Sequence, residues 1–436
     1  MLARQVAAPT RPRASPYRRH PAPGMLVALA LAALPGAPSA QGGVPLTLAE
    51  AERLALTRSP QVAAQRALAD AAREMASPAG SWPDPKLIAG FDNVPADGAD
   101  RWRLDRDPMT MTRVGLMQEF PAAEKLRFRA ERASRDAARS DVATEVAALA
   151  TRREVAVAWL ARHYAERQSR AIAAQIDEAK LQQSTTAALY GAGRVSQAEV
   201  LAARTTTIEL ANRATEAALA GERARLALAR HVGAGEADRP LAPPPDVLVL
   251  PDAMEHLTDV ARQPELRLAH AQEALLDTEA DLARAGRLPD WSAELTYGIR
   301  KAEFGNMVSL MVRVDLPWSP GTRQDREHAA KLKERDAARA QREDLSRLRD
   351  AEVRQMLAEW DAMRAQAART RDELVPLAVR RVEAALAAYR SGAGSLAAVL
   401  EARRAELDAR LAQIGFEQSA ARAWAWLSTL LPREGA

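Results

Sequence analysis

Residues 122–190 form a run of 69 residues without proline or glycine, opened by Pro121 and closed by Gly191 and Gly193. An unbroken helix of that length would be about 100 Å long, roughly three times the span of a small domain. Few folds have a use for such a rod, so this run limits the chain more than any other feature. The second half repeats it. Residues 322–390 again number 69, follow Pro317, Pro320 and Gly321, and end at Gly392 and Gly394. Pro376 interrupts this second run and predicts a kink about four turns before its end. The chain is expected to be a duplicated rod.

Only 4% of the residues are aromatic and 27% are charged, a composition of long helices and coiled coils rather than of thick enzyme cores. The formal charge of +4 resides in the first 40 residues, which hold five arginines and no acid; the remainder carries −1, which removes the electrostatic case for a nucleic-acid partner. Residues 1–40 read as a signal peptide: an arginine-rich start, the apolar run 25–34, and small residues up to Ala40. Ten apolar residues are too few to span a bilayer, although an N-terminal membrane anchor is the alternative. No other stretch reads as a transmembrane helix. With no cysteine, neither a disulfide nor an acylated cysteine is available. The six histidines are scattered, and no zinc motif, phosphate loop or dinucleotide fingerprint occurs, so no enzyme activity, catalytic residue, metal site or cofactor is expected.

Taken in order, Thr47 and Glu50 have the spacing of a capping box that opens a short helix, and Ser59-Pro60 starts a second helix ending near Pro78. In residues 86–120 the apolar positions Leu87, Ala89 and Phe91, then Val114, Leu116 and Phe120, fall two or four apart, which predicts a β-hairpin around a loop at 92–108. After the long helix 122–190 and a tip at 191–196, Ser196 and Glu199 cap another helix running to about His231. Residues 233–251, with five prolines, read as a linker. The pattern then restarts, giving a first repeat at 41–232 and a second at 252–432. The second repeat has its own hairpin (290–317), long helix (322–390) and tip (391–395). Tyr190, Gly193, Ser196, Val200, Leu201 and Arg204 align without a gap on Tyr389, Gly392, Ser395, Val399, Leu400 and Arg403.

In the second hairpin Trp291, Ala293, Leu295, Tyr297 and Ile299 alternate with polar residues, as do Val308, Leu310, Val312, Val314 and Leu316. A soluble sheet on a core reads the same way. Residues 82–120 and 289–318, the hairpins with their immediate flanks, hold 8 of the 18 aromatic residues, however, many near strand ends, which matches the girdles of an outer-membrane barrel. Four strands cannot close a barrel, so lipid-facing strands require oligomerisation, and three copies supply twelve. Leu345, Leu348, Val353, Met356, Trp360 and Met363 offer a coiled-coil seam in the second long helix. Met109, Met111 and Met117 fall on one face if their segment is a strand; thioethers suit soft cations, and barrel packing is the plainer explanation. Asp92, Asp97, Asp100, Asp105 and Asp107 offer an acidic mouth, as acidic exposed loops commonly do.

A signal peptide, a twofold succession of helix, hairpin, long helix, tip and helix, and the Tyr-x-x-Gly-x-x-Ser…Val-Leu motif at both tips together resemble the TolC-like outer membrane factors of tripartite efflux systems. Residues 83–95 and 109–121 look like the branch that serves heavy-metal cation exporters. Some members carry a lipid on an N-terminal cysteine, which this chain lacks. The resemblance implies a mainly α fold with a small membrane β-barrel, assembled as a homotrimer of twelve strands over an α-helical periplasmic tunnel. It also implies a periplasmic adaptor, an inner-membrane RND-type transporter, and a location in the outer membrane of a Gram-negative bacterium reaching into the periplasm.

The family's periplasmic aperture lies at the tips, so Gly191, Gly193, Val195, Ser196, Gly392, Gly394 and Ser395 are the expected adaptor contacts. Tyr389 and Glu199 match the family's gate pair, against the plain alternative of rim residues. A cation expected after the second tip glycine is replaced by Gly394, leaving Arg194 as the basic candidate. The expected function is a passive exit duct for heavy-metal cations. Organic drugs or solvents are the alternative cargo, and a pore-less periplasmic coiled-coil adaptor or scaffold is the alternative class.

Overall fold

The computed structural model describes residues 44–250 and 259–430, so the signal peptide expected in residues 1–40 lies outside the described residues. Thr47 caps α1 (Leu48–Arg58), its Oγ1 accepting from the Glu50 N–H at 3.1 Å. Only this half of the expected capping box forms. The Glu50 carboxylate instead accepts from both Arg239 Nη atoms, at 3.0 and 3.2 Å, and these bonds hold its carboxyl below the usual range. In α2 (Pro60–Ala76), Ser59 caps the Val62 N–H and Pro60 takes the first turn, where its missing donor costs nothing.

The chain then enters β1 (Lys86–Asp92) and β2 (Met111–Phe120) before α3 (Ala123–Gly191), a single 69-residue helix. α4 (Gln197–Val232) returns along it, and the four-residue α5 (Ala234–Ala237) follows. The second half comprises α6 (Pro264–Ala285), β3 (Asp290–Ile299), β4 (Met307–Asp315), α7 (Gln324–Arg369), α8 (Val375–Arg390) and α9 (Leu396–Ser428). Between α7 and α8, Thr370–Leu374 forms a π-helical turn. Pro376 lacks an N–H for the carbonyl four residues back and its ring crowds that position; the widened turn absorbs the misfit. α3 has no such turn, so the two rods are not equivalent.

One antiparallel sheet in the order β1-β2-β3-β4 joins the two hairpins, with β2 paired to β3 across the repeats. That central pairing depends on Gly115, where an added Cβ would lie 2.4 Å from Thr296 Cγ2 and 2.5 Å from the Leu295 carbonyl oxygen.

The main core gathers Val155, Trp159, Leu160 and Tyr164 of α3 with Leu228 of α4, Trp360 of α7 and Trp424 of α9. The duplication is visible in its hydrogen bonds. Trp159 Nε1 donates to the Leu46 carbonyl at 3.1 Å and Trp360 Nε1 to the Val247 carbonyl at 2.9 Å, each pair separated by 113 residues. A third indole, Trp424, donates to the Val249 carbonyl at 3.1 Å. The proline-rich segment is thereby a strap laid on the helices: Leu241 also bridges Leu46 in parallel, with Leu46 N–H on the Pro240 carbonyl at 2.8 Å. Of the expected seam, Val353 and Trp360 are buried, Met356 and Met363 pack on the core, and Leu348 stays exposed.

Trp360→Phe leaves the Val247 carbonyl buried without its donor and is expected to cost about 1–3 kcal/mol, with Trp159→Phe costing a similar amount at Leu46. Denaturant unfolding of the two variants measures both. Gly115→Ala overpacks a backbone contact and is expected to cost about 1–3 kcal/mol, whereas Gly90→Ala on the same face meets open space and is expected to be silent in thermal unfolding.

Candidate functional site

The sheet is inverted relative to that of a water-soluble protein. Register places Leu87, Leu116, Leu295 and Leu310 side by side across all four strands, and they are 73, 58, 56 and 70% exposed. Val114, Tyr297 and Val308 form the next row and are exposed too, while Glu294 and Thr296 on the opposite face are only 5% exposed. Apolar residues out and polar residues in is the arrangement of a wall whose outer solvent is lipid. At one end of the strands Phe120 stacks on Trp291 at 4.1 Å and meets Trp82 edge-on at 5.2 Å, a cluster placed where an interfacial aromatic girdle sits. β3 has ten residues and β4 nine, the length of a tilted transmembrane strand.

The inner face is charge-paired. Lys86 meets Glu119, Arg113 lies 3.3 Å from Asp92, and Glu294 lies between Arg113 at 3.7 Å and Arg313 at 3.1 Å. Two expectations change here. Met109 is not on the strand with Met111 and Met117. It sits in the loop, its N–H held by Asp107 Oδ1 at 2.7 Å and its carbonyl by Asn93 Nδ2 at 3.3 Å. Of the five aspartates assigned to an acidic mouth, Asp92 is neutralised by Arg113 and Asp107 serves as that backbone cap, which leaves Asp97, Asp100 and Asp105 for such a role.

At the far end of the rods the two tips are built alike. Gly193 and Gly392 have φ of 69° and 77°, conformations that favour glycine. The N–H of Arg194 reaches the Leu189 carbonyl and that of Ala393 the Ala388 carbonyl, both at 2.9 Å, the six-to-one bond that ends a helix with a left-handed residue. Gly394 sits in a tight place, where a Cβ would come within 3.1 Å of the Tyr389 backbone nitrogen, whereas Gly191 faces open space. Ser196 and Glu199 form the full capping box: the Glu199 carboxylate accepts from the Ser196 N–H at 2.8 Å and Oγ at 3.1 Å. Ser395 caps α9 through the Ala398 N–H. Val195 is half-buried, while Arg194 is exposed and makes no ion pair among the described residues.

The expected gate pair is only partly assembled. Burial first, and the Glu199 charge second, push the Tyr389 phenol above its ordinary pKa, so the two groups sense each other. No hydrogen bond joins them among the described residues, because the carboxylate is committed to its own helix cap.

The ties between the hairpins escaped sequence reasoning. Arg403 pairs with Glu178, and Arg213 with Asp408 at 2.8 Å, linking α9 to α3 and α4 above a small apolar cluster of Ile172, Ala179, Leu210 and Leu407. Arg403 stands in the repeated tip motif, yet its counterpart Arg204 has no such partner among the described residues, so the motif alone carried no signal for the pair. A cavity of ≈ 270 Å³ lies at this junction, lined in part by Gln182, Thr206, Val399 and Leu407.

Residues 260–432 match the Outer membrane efflux protein family. No curated protein matches the sequence. Among solved structures, a membrane protein from Pseudomonas aeruginosa aligns at a TM-score of 0.76 and 18% identity, over 88% of this chain and 89% of that one. The outer membrane protein VceC from Vibrio cholerae aligns at 0.72 and 19% identity, over 88% and 95%. CusC, whose structures concern conformational changes accompanying folding and transmembrane channel formation, aligns at 0.75 and 14% identity, over 88% and 92%. At these identities the structural likeness carries the fold, and the family match applies to residues 260–432. Residues 260–432 therefore carry the likeness to the Outer membrane efflux protein family, and the described chain as a whole shares its fold with these solved membrane-protein structures.

Proposed function

We propose that the protein is the passive outer-membrane exit duct of a tripartite efflux system and works as a homotrimer. The observation that carries this reading is the inverted sheet with two open edges, β1 and β4. Three copies give the twelve strands that a closed wall needs, since no edge is tolerated in lipid. The helices support the same assembly. α4 leaves Leu201, Ile208, Leu219 and Leu226 exposed at spacings of a single helix face, an apolar stripe that a neighbouring copy covers.

In this reading a periplasmic adaptor docks on the tips through Gly191, Gly193, Val195, Ser196, Gly392, Gly394 and Ser395, and an inner-membrane transporter of the RND type supplies the energy. Tyr389 and Glu199, with Arg194 nearby in sequence, form the resting constriction. The cargo is a heavy-metal cation; organic toxicants are the runner-up. A pore-less adaptor is disfavoured by the sheet itself, since an apolar exposed face of this size has no purpose on a soluble scaffold.

A strain lacking the gene is expected to be sensitive to one group among zinc, cobalt, cadmium, nickel, copper and silver, and plasmid rescue restores tolerance. Sensitivity to organic toxicants alone keeps the duct and overturns the metal cargo. At the tips, a Glu199→Gln, Tyr389→Phe double variant is expected to raise single-channel conductance in planar bilayers, and unchanged conductance overturns the gate. Spectrophotometric titration is expected to find the Tyr389 phenol above the usual pKa of 10.0 and to find it lowered only in part by Glu199→Gln, since burial is the larger cause. The sign follows: a raised phenol pKa contributes stability below pH 10.0 that is lost as pH rises through the folded-state value.

A further inference from the structure

The methionines of the sheet are segregated. Met111, Met117, Met307 and Met311 all lie on its inner face, whereas the leucines, valines and aromatic rings of the strands lie on the outer one. Apart from Ile88, the four thioethers are the only apolar side chains on that inner face. Among the described residues no second layer packs there, and Met307 and Met311 are 40 and 46% exposed. Packing therefore does not explain them.

Register places Met117, Glu294 and Met311 in one row across β2, β3 and β4. The Arg313 guanidinium sits on this row. It donates to Met117 Sδ at 3.6 Å, to Met311 Sδ at 3.4 Å and to Glu294 Oε2 at 3.1 Å. Two thioethers and a carboxylate that is 5% exposed thus already surround a positive charge. That charge is borne on a flexible arm whose side chain is 55% exposed, so it can leave. Arg113, 3.7 Å from the other Glu294 oxygen, stays when it does. Four residues further along β3, about 13 Å away, a second pair of thioethers recurs: Gly298 pairs with Met307, and Met111 Sδ occupies the space over Gly298 that a Cβ would need.

We propose that Met117, Met311 and Glu294 form a binding site for a soft monovalent metal cation, silver(I) or copper(I), which takes the place now held by the Arg313 guanidinium. Softness follows from the thioether donors, which favour Cu(I)-like ions over zinc or magnesium. Monovalency follows from charge balance, because one positive charge replaces another beside a carboxylate that Arg113 already offsets in part. The Met111 and Met307 pair is a second, carboxylate-free station on the same path. The inference rests on reading the sheet as the duct wall, and it narrows the cargo to the soft members of the metal group.

The test is silver(I) binding to the detergent-purified full chain, followed by titration calorimetry and by silver–sulfur scattering in X-ray absorption. Met117→Leu with Met311→Leu is expected to weaken the tightest binding at least tenfold and to remove sulfur neighbours. Arg313→Ala, which deletes the competing cation, is expected to tighten binding. The two variants move affinity in opposite directions, so a general loss of folding cannot imitate the result. Absence of silver binding, binding unchanged in the double methionine variant, or weaker binding in Arg313→Ala overturns the site. The duct fails separately: silver bound through sulfur by the purified protein, together with unaltered silver and copper tolerance of the deletion strain, establishes the site and removes the cargo reading.

Discussion

The structure depends on one unfinished set of hydrogen bonds. β2 and β3 are paired on both sides, but among the described residues β1 and β4 each have one side without a partner, and the apolar face of all four strands is exposed. In water that face costs free energy, and in hydrocarbon the open edges do. Neither solvent accepts the sheet as one chain makes it. A twofold repeat of hairpin and rod answers half of the difficulty by bringing two hairpins together, which is why Gly115 at the β2–β3 contact admits no side chain. Closure must come from outside the chain.

The helices meet a different requirement. A rod of 69 residues has a weak apolar face and no cross-links, so it needs fixed points along its length. The main one is a belt of indole-to-carbonyl bonds, in which Trp159, Trp360 and Trp424 hold the segments around Leu46 and residues 247–249. Each bond satisfies a buried carbonyl and a buried indole at once, so loss of either partner strands the other. Arg239 extends the belt by bonding Glu50, Glu236 and the Val44 carbonyl together, with the Glu236 contact at 2.6 Å.

Much of this was legible in the sequence, and the reasons for the gaps are physical. The rods showed because proline and glycine are absent over lengths that chance does not give, and the strands because period-two alternation survives whichever solvent lies outside. Alternation by itself did not give its direction, since a soluble sheet and a lipid-facing one have the same parity; the aromatic residues near the strand ends pointed to lipid, and the exposure of the apolar face points the same way. Met109 drops out of the conditional three-methionine face because β2 starts only at Met111, after Asp107 has turned the chain. The Glu50 capping box was half right because a guanidinium 189 residues away competes for the carboxylate, and local spacing cannot see it. At the tips the positive-φ glycines were readable from turn chemistry. Ties such as Arg403 to Glu178 were not, because they join positions 225 residues apart that share no periodic pattern.

Where the two repeats diverge, their surroundings diverge. At the second tip Val399 is 1% exposed and Leu400 half-buried, whereas their counterparts at the first tip are a half-buried Val200 and a Leu201 that is 54% exposed. The Pro376 turn likewise occurs in the second rod alone. The first hairpin therefore carries its apolar stripe outward along α4, and the second is packed inward. That stripe and the open edges of the sheet are two incomplete surfaces at opposite ends of one rod. A partner that covered only the helices would leave the strands unpaired in lipid, and one that paired only the strands would leave the stripe in water. In the proposed homotrimer, other copies of the same chain set side by side present a helix to the stripe and a strand to the edge together, so that one symmetric assembly would complete both.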